Sequence, residues 1–404
     1  MKKAVIKLLV IIMTTGYTTQ AKAISVDASE RNKDDYFNVH FEGNIIVAED
    51  DKSIISISNY GFIEIKQSSF GVERRLVIKS DNNGGLIEQF FIKNEKQNFV
   101  PKGKKWLSKV LPKIIKTTFL GGKSRVDRSF KKGGVNAVLK TIEDLSYDFV
   151  KSKYIDFLLK KQLSVNELNT ILKNLNGLIK QQLYIFEVLE KNQNSFLKDS
   201  RVSATFIKTI SQYESDFYKF SLLQNAIKTS NELTEMPSSQ DIMGISKSIN
   251  SENYIAKLCY SLIEIQGVNK SLDQILKLYN QINHEEFYSN NVIRKVLTQP
   301  IEFSQLKKLL VAIQNSPQKE SNNIVFYEHV FSNNSYSENQ TLEILSTIPK
   351  NTTAPISLYK SMMGVSKIIS KSSQKVKGEY QKIALQLKPD YEFYYDKVIN
   401  AIRE

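Results

Sequence analysis

One cysteine, one tryptophan and three histidines are thinly spread over 404 residues. A lone cysteine excludes a disulfide framework within the chain. Cys259, in "AKLCYSLIE", has apolar neighbours at helical spacing and reads as a core residue, not a nucleophile. His40, His284 and His329 stand far apart and in no His-Glu-x-x-His spacing, so no metal site is expected. "GGKS" at 121–124 matches the end of a phosphate loop, but the glycine that pattern needs at 117 is Thr117. There is no Gly-x-Ser-x-Gly elbow. No cofactor is expected, and nothing resembles a nucleic-acid-binding motif. Beyond the N-terminus, no stretch is apolar enough to cross about 30 Å of hydrocarbon, which takes about 20 residues.

What is present begins with a leader. "MKKAVIKLLVIIMTTGYTTQAKA" has a positive start at Lys2 and Lys3, a short apolar run, and small residues at Ala21 and Ala23. This is the pattern of a secretory signal peptide cut after Ala23, and it places the mature protein in the periplasm or outside the cell. Removing it takes away four lysines and no acid, so the net charge falls from +14 to +10.

Residues 34–100 read as a small antiparallel β-module. "YFNVHF", "NIIVAE", "SIISIS", "GFIEIKQ", "RRLVIKS" and "LIEQFFIK" alternate apolar with polar residues, separated by Asn, Asp and Gly turns. A meander of five or six strands is expected, with one face left for the next segment to cover. Beyond residue 101 the period turns helical. "LSYDFVKSKYIDFLL" at 145–159 returns as "YESDFYKFSLLQNAI" at 213–227 and "LKPDYEFYYDKVINAI" at 387–402. Apolar anchors at Leu145, Leu175, Tyr213, Ile249, Ile282, Ile313, Ile348 and Leu387 recur 30 to 39 residues apart. That is a helix–turn–helix unit of about 34 residues repeated about eight times, which stacks as an α-solenoid. Asp148, Asp216, Glu252, Glu285 and Asp390 fall where each second helix starts, the position of an N-terminal cap. Phe149, Phe217 and Tyr391 follow them and are suited to packing between units. "NSPQKESNN" (315–323) reads as a lengthened turn, and "SKSSQKVKG" (370–378) as a flexible insertion or frayed helix. The fold class is α+β: a β-module, a basic helical connector with the first repeat over 101–160, and a repeat array over 161–404.

The connector carries most of the charge. Residues 101–132 hold eleven Lys or Arg and one acid, Asp127. Lys102, Lys105, Lys109, Lys113 and Lys116 lie on one helical face, and Trp106, Leu107, Val110, Leu111, Ile114 and Ile115 on the other. Pro112 is expected to kink or restart this helix. With Lys123, Arg125 and Arg128, the lysine face is a candidate surface for an anionic partner: a lipid head group, an acidic polymer or an acidic protein.

"AEDDKSIISISNYGFIEIKQ", "ERRLVIKSDNNGGLIEQFF", "WLSKVLPKIIKTT" and "KSRVDRSFKKGGVNAVLKTIEDLSYDFVKSKYIDFLL" together resemble a group of bacterial exported proteins. These carry a small β-module, a Trp-Leu…Leu-Pro helix and helical repeats marked by a Ser-Asp-Tyr-like step. Similar regions form extracytoplasmic portions of membrane metalloprotease regulators of the β-lactam-sensing type. The resemblance covers about a third of the chain, with Tyr147 in place of the usual Ser of the first step. It transfers no catalytic residue, because the chain has no metalloprotease motif. It implies an envelope-side binding or sensing module. The expectation is therefore a non-enzymatic interaction protein that uses its helical array to bind an envelope protein or anionic envelope ligand. The alternatives are a peripheral membrane or polymer-binding protein acting through 101–132, and an envelope hydrolase or its inhibitor, which requires a cleft with convergent carboxylates.

Overall fold

The computed structural model describes residues 24–32, 35–230 and 239–403; the leader read over 1–23 lies outside them. The chain forms two compact units, 1–191 and 192–404.

The first unit opens with eight strands: β1 Ile24–Asn32, β2 Asp35–Glu42, β3 Ile45–Val47, β4 Ile54–Ile57, β5 Phe62–Ser69, β6 Val72–Ser80, β7 Leu86–Ile92 and β8 Glu95–Gln97. Six of them make an antiparallel sheet in the order β1-β2-β5-β6-β7-β8. The meander expected from the sequence is interrupted, since β3 and β4 pair only with each other and β2 lies directly beside β5. The reason is packing. Ile45, Val47 and Ile57 of this hairpin are buried in the core, so the hairpin leaves the end of the β2–β5 pair to pack on that core instead of adding two strands to the sheet. Cross-strand register lines up Val39, Ile65, Leu76 and Phe90 on one face.

Helix α1 (Lys104–Thr117) covers that face. Leu111 and Ile114 are fully buried against it, and Trp106 Nε1 donates to Gln67 Oε1 at 3.1 Å. The period-2 sheet face and the period-3.6 helix stripe thus bury each other. Contrary to the expected kink, α1 continues through Pro112 to Thr117. Next come α2 (Gly122–Glu143), α3 (Asp148–Leu158), α4 (Val165–Leu178) and α5 (Gln182–Leu197), the last running across the unit boundary. Within α2 the helix breaks at Gly133 and Gly134, where φ reaches 61° at Gly134. α4 starts with a reciprocal cap between Ser164 and Glu167.

The second unit is all helical among its described residues: α6 Ser200–Ser211, α7 Asp216–Ser230, α8 Ser239–Ser246, α9 Glu252–Gln266, α10 Val268–Tyr279, α11 Glu286–Leu297, α12 Phe303–Gln314, α13 Lys319–His329, α14 Glu338–Asn351, α15 Pro355–Ile369, α16 Gln374–Ala384 and α17 Glu392–Asn400. From α2 to α17 the described helices form eight successive pairs, and the second helices begin 33 to 37 residues apart. The expected helical repeat array is present. Within the second unit, the second helices stack in one row and the first helices in another. The stretch 370–378 is neither insertion nor fray: it is a turn and the start of α16, with Ser373 Oγ accepting from Val376 N. Similarly, 319–323 is already α13, and Asn322 and Asn323 are fully buried.

Candidate functional site

Asp148, Asp216 and Glu252 are the first residues of their second helices, but the hydrogen bonds of their carboxylates go to the following turn and not to their own helices. Asp148 Oδ2 accepts from Lys180 N (3.0 Å) and Gln181 N (2.9 Å), in the turn that leads into the next second helix. Asp216 Oδ2 repeats this on Asn250 N (3.0 Å) and Ser251 N (2.9 Å). Glu252, one methylene longer, uses both oxygens, on Asn283 N (2.8 Å), His284 N (2.9 Å) and Glu285 N (2.8 Å). A lysine one turn along completes two of these clamps. Lys151 Nζ donates to Leu178 O and Lys219 Nζ to Ser248 O, each two residues before the first clamped amide. The motif is therefore Asp-x-x-Lys, gripping both polarities of the following turn. Glu285, read as a cap, makes no side-chain cap bond; Glu286 holds the equivalent first position and accepts from Ser321 Oγ. Asp390 precedes α17, which starts at Glu392.

The basic segment divides in two. Lys102, Lys105, Lys109, Lys113, Lys116 and Lys123 are exposed and form no ion pair among the described residues. Arg125 and Arg128 face inward. Arg125 pairs with Asp51 at 2.9 Å and donates to Tyr154 Oη at 2.7 Å, and Arg128 donates to Val47 O at 2.7 Å. They hold the β3–β4 hairpin against α2. So the structure leaves Lys105, Lys109, Lys113 and Lys116 exposed along α1 with Lys102 just before it, and assigns both arginines to the fold.

Sequence reasoning missed a second surface. The second residue of α3, α5, α7, α11, α15 and α17 is apolar: Phe149, Leu183, Phe217, Phe287, Ile356 and Phe393. Phe149 packs between Phe119 and Tyr184, as expected of a residue between units. In the second unit Phe217, Phe287, Ile356 and Phe393 are 50%, 69%, 50% and 64% exposed, although Phe217 also meets Tyr254 of the next repeat, as expected, with ring centroids 6.3 Å apart. Scattered exposed apolar side chains are ordinary. These four recur at one structural position, and the turns just before Phe287 and Ile356 are held by Glu252 and Glu320.

The remaining candidates are a groove, a cysteine and a histidine. An apolar groove lined by Phe303, Leu306, Val311, Phe326 and Ile344 holds only about 250 Å³, below the usual range for small-molecule pockets. Lys307 and Glu343 pair beside it at 3.2 Å. Cys259 is fully buried, and burial pushes its thiol well above the ordinary range. His329 accepts from Arg294 Nε at Nε2, 3.2 Å away. Among the described residues no three His, Cys, Asp or Glu side chains gather as a metal site. No described helix is long and apolar enough to cross a membrane. The chain matches no family model, no curated protein and no solved structure.

Proposed function

We propose that this is a non-enzymatic, exported interaction protein of the bacterial envelope, whose helical array binds a protein partner along the clamped edge of its second unit. One observation carries this proposal: Phe217, Phe287, Ile356 and Phe393 repeat at the same helix position, each half exposed or more, and carboxylates hold the turns that lead into Phe287 and Ile356. Rigid presentation lowers the ordering cost of binding, and large apolar anchors supply most interface energy. The leader pattern and the resemblance of residues 43–159 to exported modules support the envelope setting.

The test is a comparison of two forms of the mature chain, unchanged and carrying Phe287→Ser with Phe393→Ser, used to capture partners from the native envelope. The variant should keep its melting temperature, since both side chains face solvent, and lose the stoichiometric partner that the unchanged protein retains. Equal retention by both forms removes the edge as the binding surface.

A further inference from the structure

The array edge leaves unexplained the basic end of the β-module, which lies in the other unit. Phe70 sits at the tip of the β5–β6 hairpin, is 91% exposed and has φ of 51°. The register places the β7–β8 turn, with exposed Lys93, at the same end of the sheet, because Lys93 N bonds Glu73 O at the base of that hairpin. The first turn of α1 is fixed there too. Trp106 Nε1 reaches Gln67 Oε1, three residues from Phe70, or about 10 Å of strand. Lys102, Lys104 and Lys105 are exposed around that turn, next to Val100, which is 65% exposed. From 98 to 126 the chain has no acid. The carboxylates Glu73, at the base of the β5–β6 hairpin, and Glu95, beside the Lys93 turn, share this end and are outnumbered by the four lysines Lys93, Lys102, Lys104 and Lys105, while Glu42 and Asp81 belong to the opposite end of the sheet.

We infer that this end of the module docks on an anionic bilayer surface, with Phe70 entering the head-group region while Lys93, Lys102, Lys104 and Lys105 meet lipid phosphates. The charge selects an anionic partner, and the protruding aromatic selects a bilayer over a soluble acidic polymer. An aromatic ring belongs at the membrane–water interface, and lysines around it gain from the negative surface potential. A polymer of carboxylates or phosphates has no use for a solvent-facing phenylalanine on a hairpin tip. One apolar residue gives weak insertion alone, so the two signals act together, as in reversible peripheral binding.

The experiment is flotation of the chain from Ile24 onward, so that the apolar leader contributes nothing to lipid binding. The vesicles are phosphatidylcholine with or without phosphatidylglycerol. Binding is expected only with phosphatidylglycerol, weakening as salt rises. Lys104→Gln with Lys105→Gln should lose about tenfold or more in apparent affinity. Phe70→Ser should also weaken binding, by several-fold, at unchanged melting temperature. Lys307→Gln with Lys308→Gln, in the other unit, should bind as well as the unchanged chain. No binding to phosphatidylglycerol vesicles overturns the inference. So does binding that ignores Phe70→Ser and is fully competed by polyglutamate, since that outcome makes the surface a polymer site. Neither result touches the array edge, whose variants lie elsewhere.

Discussion

Asp216 shows how much one side chain organises. Its carboxylate accepts two backbone amides of the next turn and lies 3.7 Å from Lys219 Nζ, a lysine only 6% exposed. Asp216→Ala leaves two amides unbonded and a buried ammonium without its counter-charge. Bonds to charged groups are worth roughly 1.5–3 kcal/mol each, and an uncompensated buried charge adds to that. The expected loss is about 3 kcal/mol of unfolding free energy, read by denaturant melting. Phe217→Ser, one residue away but half exposed, should cost well under 1 kcal/mol. A second residue-scale effect concerns pH. Partial burial lowers the His329 pKa below its ordinary 6.5, and the Arg294 guanidinium lowers it further, although Glu328 opposes them. The folded state therefore favours neutral His329, whose Nε2 lone pair accepts from Arg294. As pH falls through 6.5 the unfolded chain takes up the proton first, so stability is present above that pH and lost below it. Melting temperatures between pH 7.5 and about 5.5 should decline less steeply in His329→Gln than in the unchanged protein.

At the scale of elements, the contact of α13 with α15 depends on an absent side chain. A Cβ at Gly364 would lie 2.8 Å from both Cα and N of Glu328. The obstacle is backbone, which no rotamer change relieves. Gly364→Ala should therefore push the two helices apart and cost about 1–3 kcal/mol, even though alanine favours an isolated helix. Thermal melting alongside Gly378→Ala, in open space on α16, separates the two effects, because that substitution should stabilise slightly. Elements were also where sequence was most readable. The β-strand runs, the α1 stripe and the eight helical units follow from apolar periodicity, which burial enforces. Pro112 and the polar run 370–378 misled because local propensity was overridden: Ser373 caps a helix, and α1 is held by its buried stripe. Asn322 and Asn323 read as loop residues but are satisfied in the core, by Tyr279 Oη and by Asn351 O among others.

Across the whole molecule, the candidate surfaces were unequally legible. The lysine face of α1 could be read from spacing alone, since an amphipathic helix on a sheet must turn its charges outward. That Arg125 and Arg128 serve the hairpin could not, because Asp51 lies more than seventy residues earlier in the chain. The exposed ridge was hidden for another reason. Phe149 and Phe287 occupy the same helix position, yet one packs between the rings of Phe119 and Tyr184 and the other is 69% exposed. Which of these happens depends on how closely neighbouring repeats approach, and periodicity carries no such information. The clamps were misread for a related reason: an acid at a helix start has a local role by default, and only the Lys three residues on and the partner turn one repeat away reveal the other.

The clamps have a consequence for how such a chain changes length over generations. Asp148, Asp216 and Glu252 bond to main-chain amides of the following turn and not to a particular side chain of it. Every turn of this shape offers those amides whatever its residues are. A duplicated repeat therefore arrives with its own grip on the next unit and a ready foothold for the preceding one. Repeats can be gained or lost by recombination without matched substitutions in the neighbours.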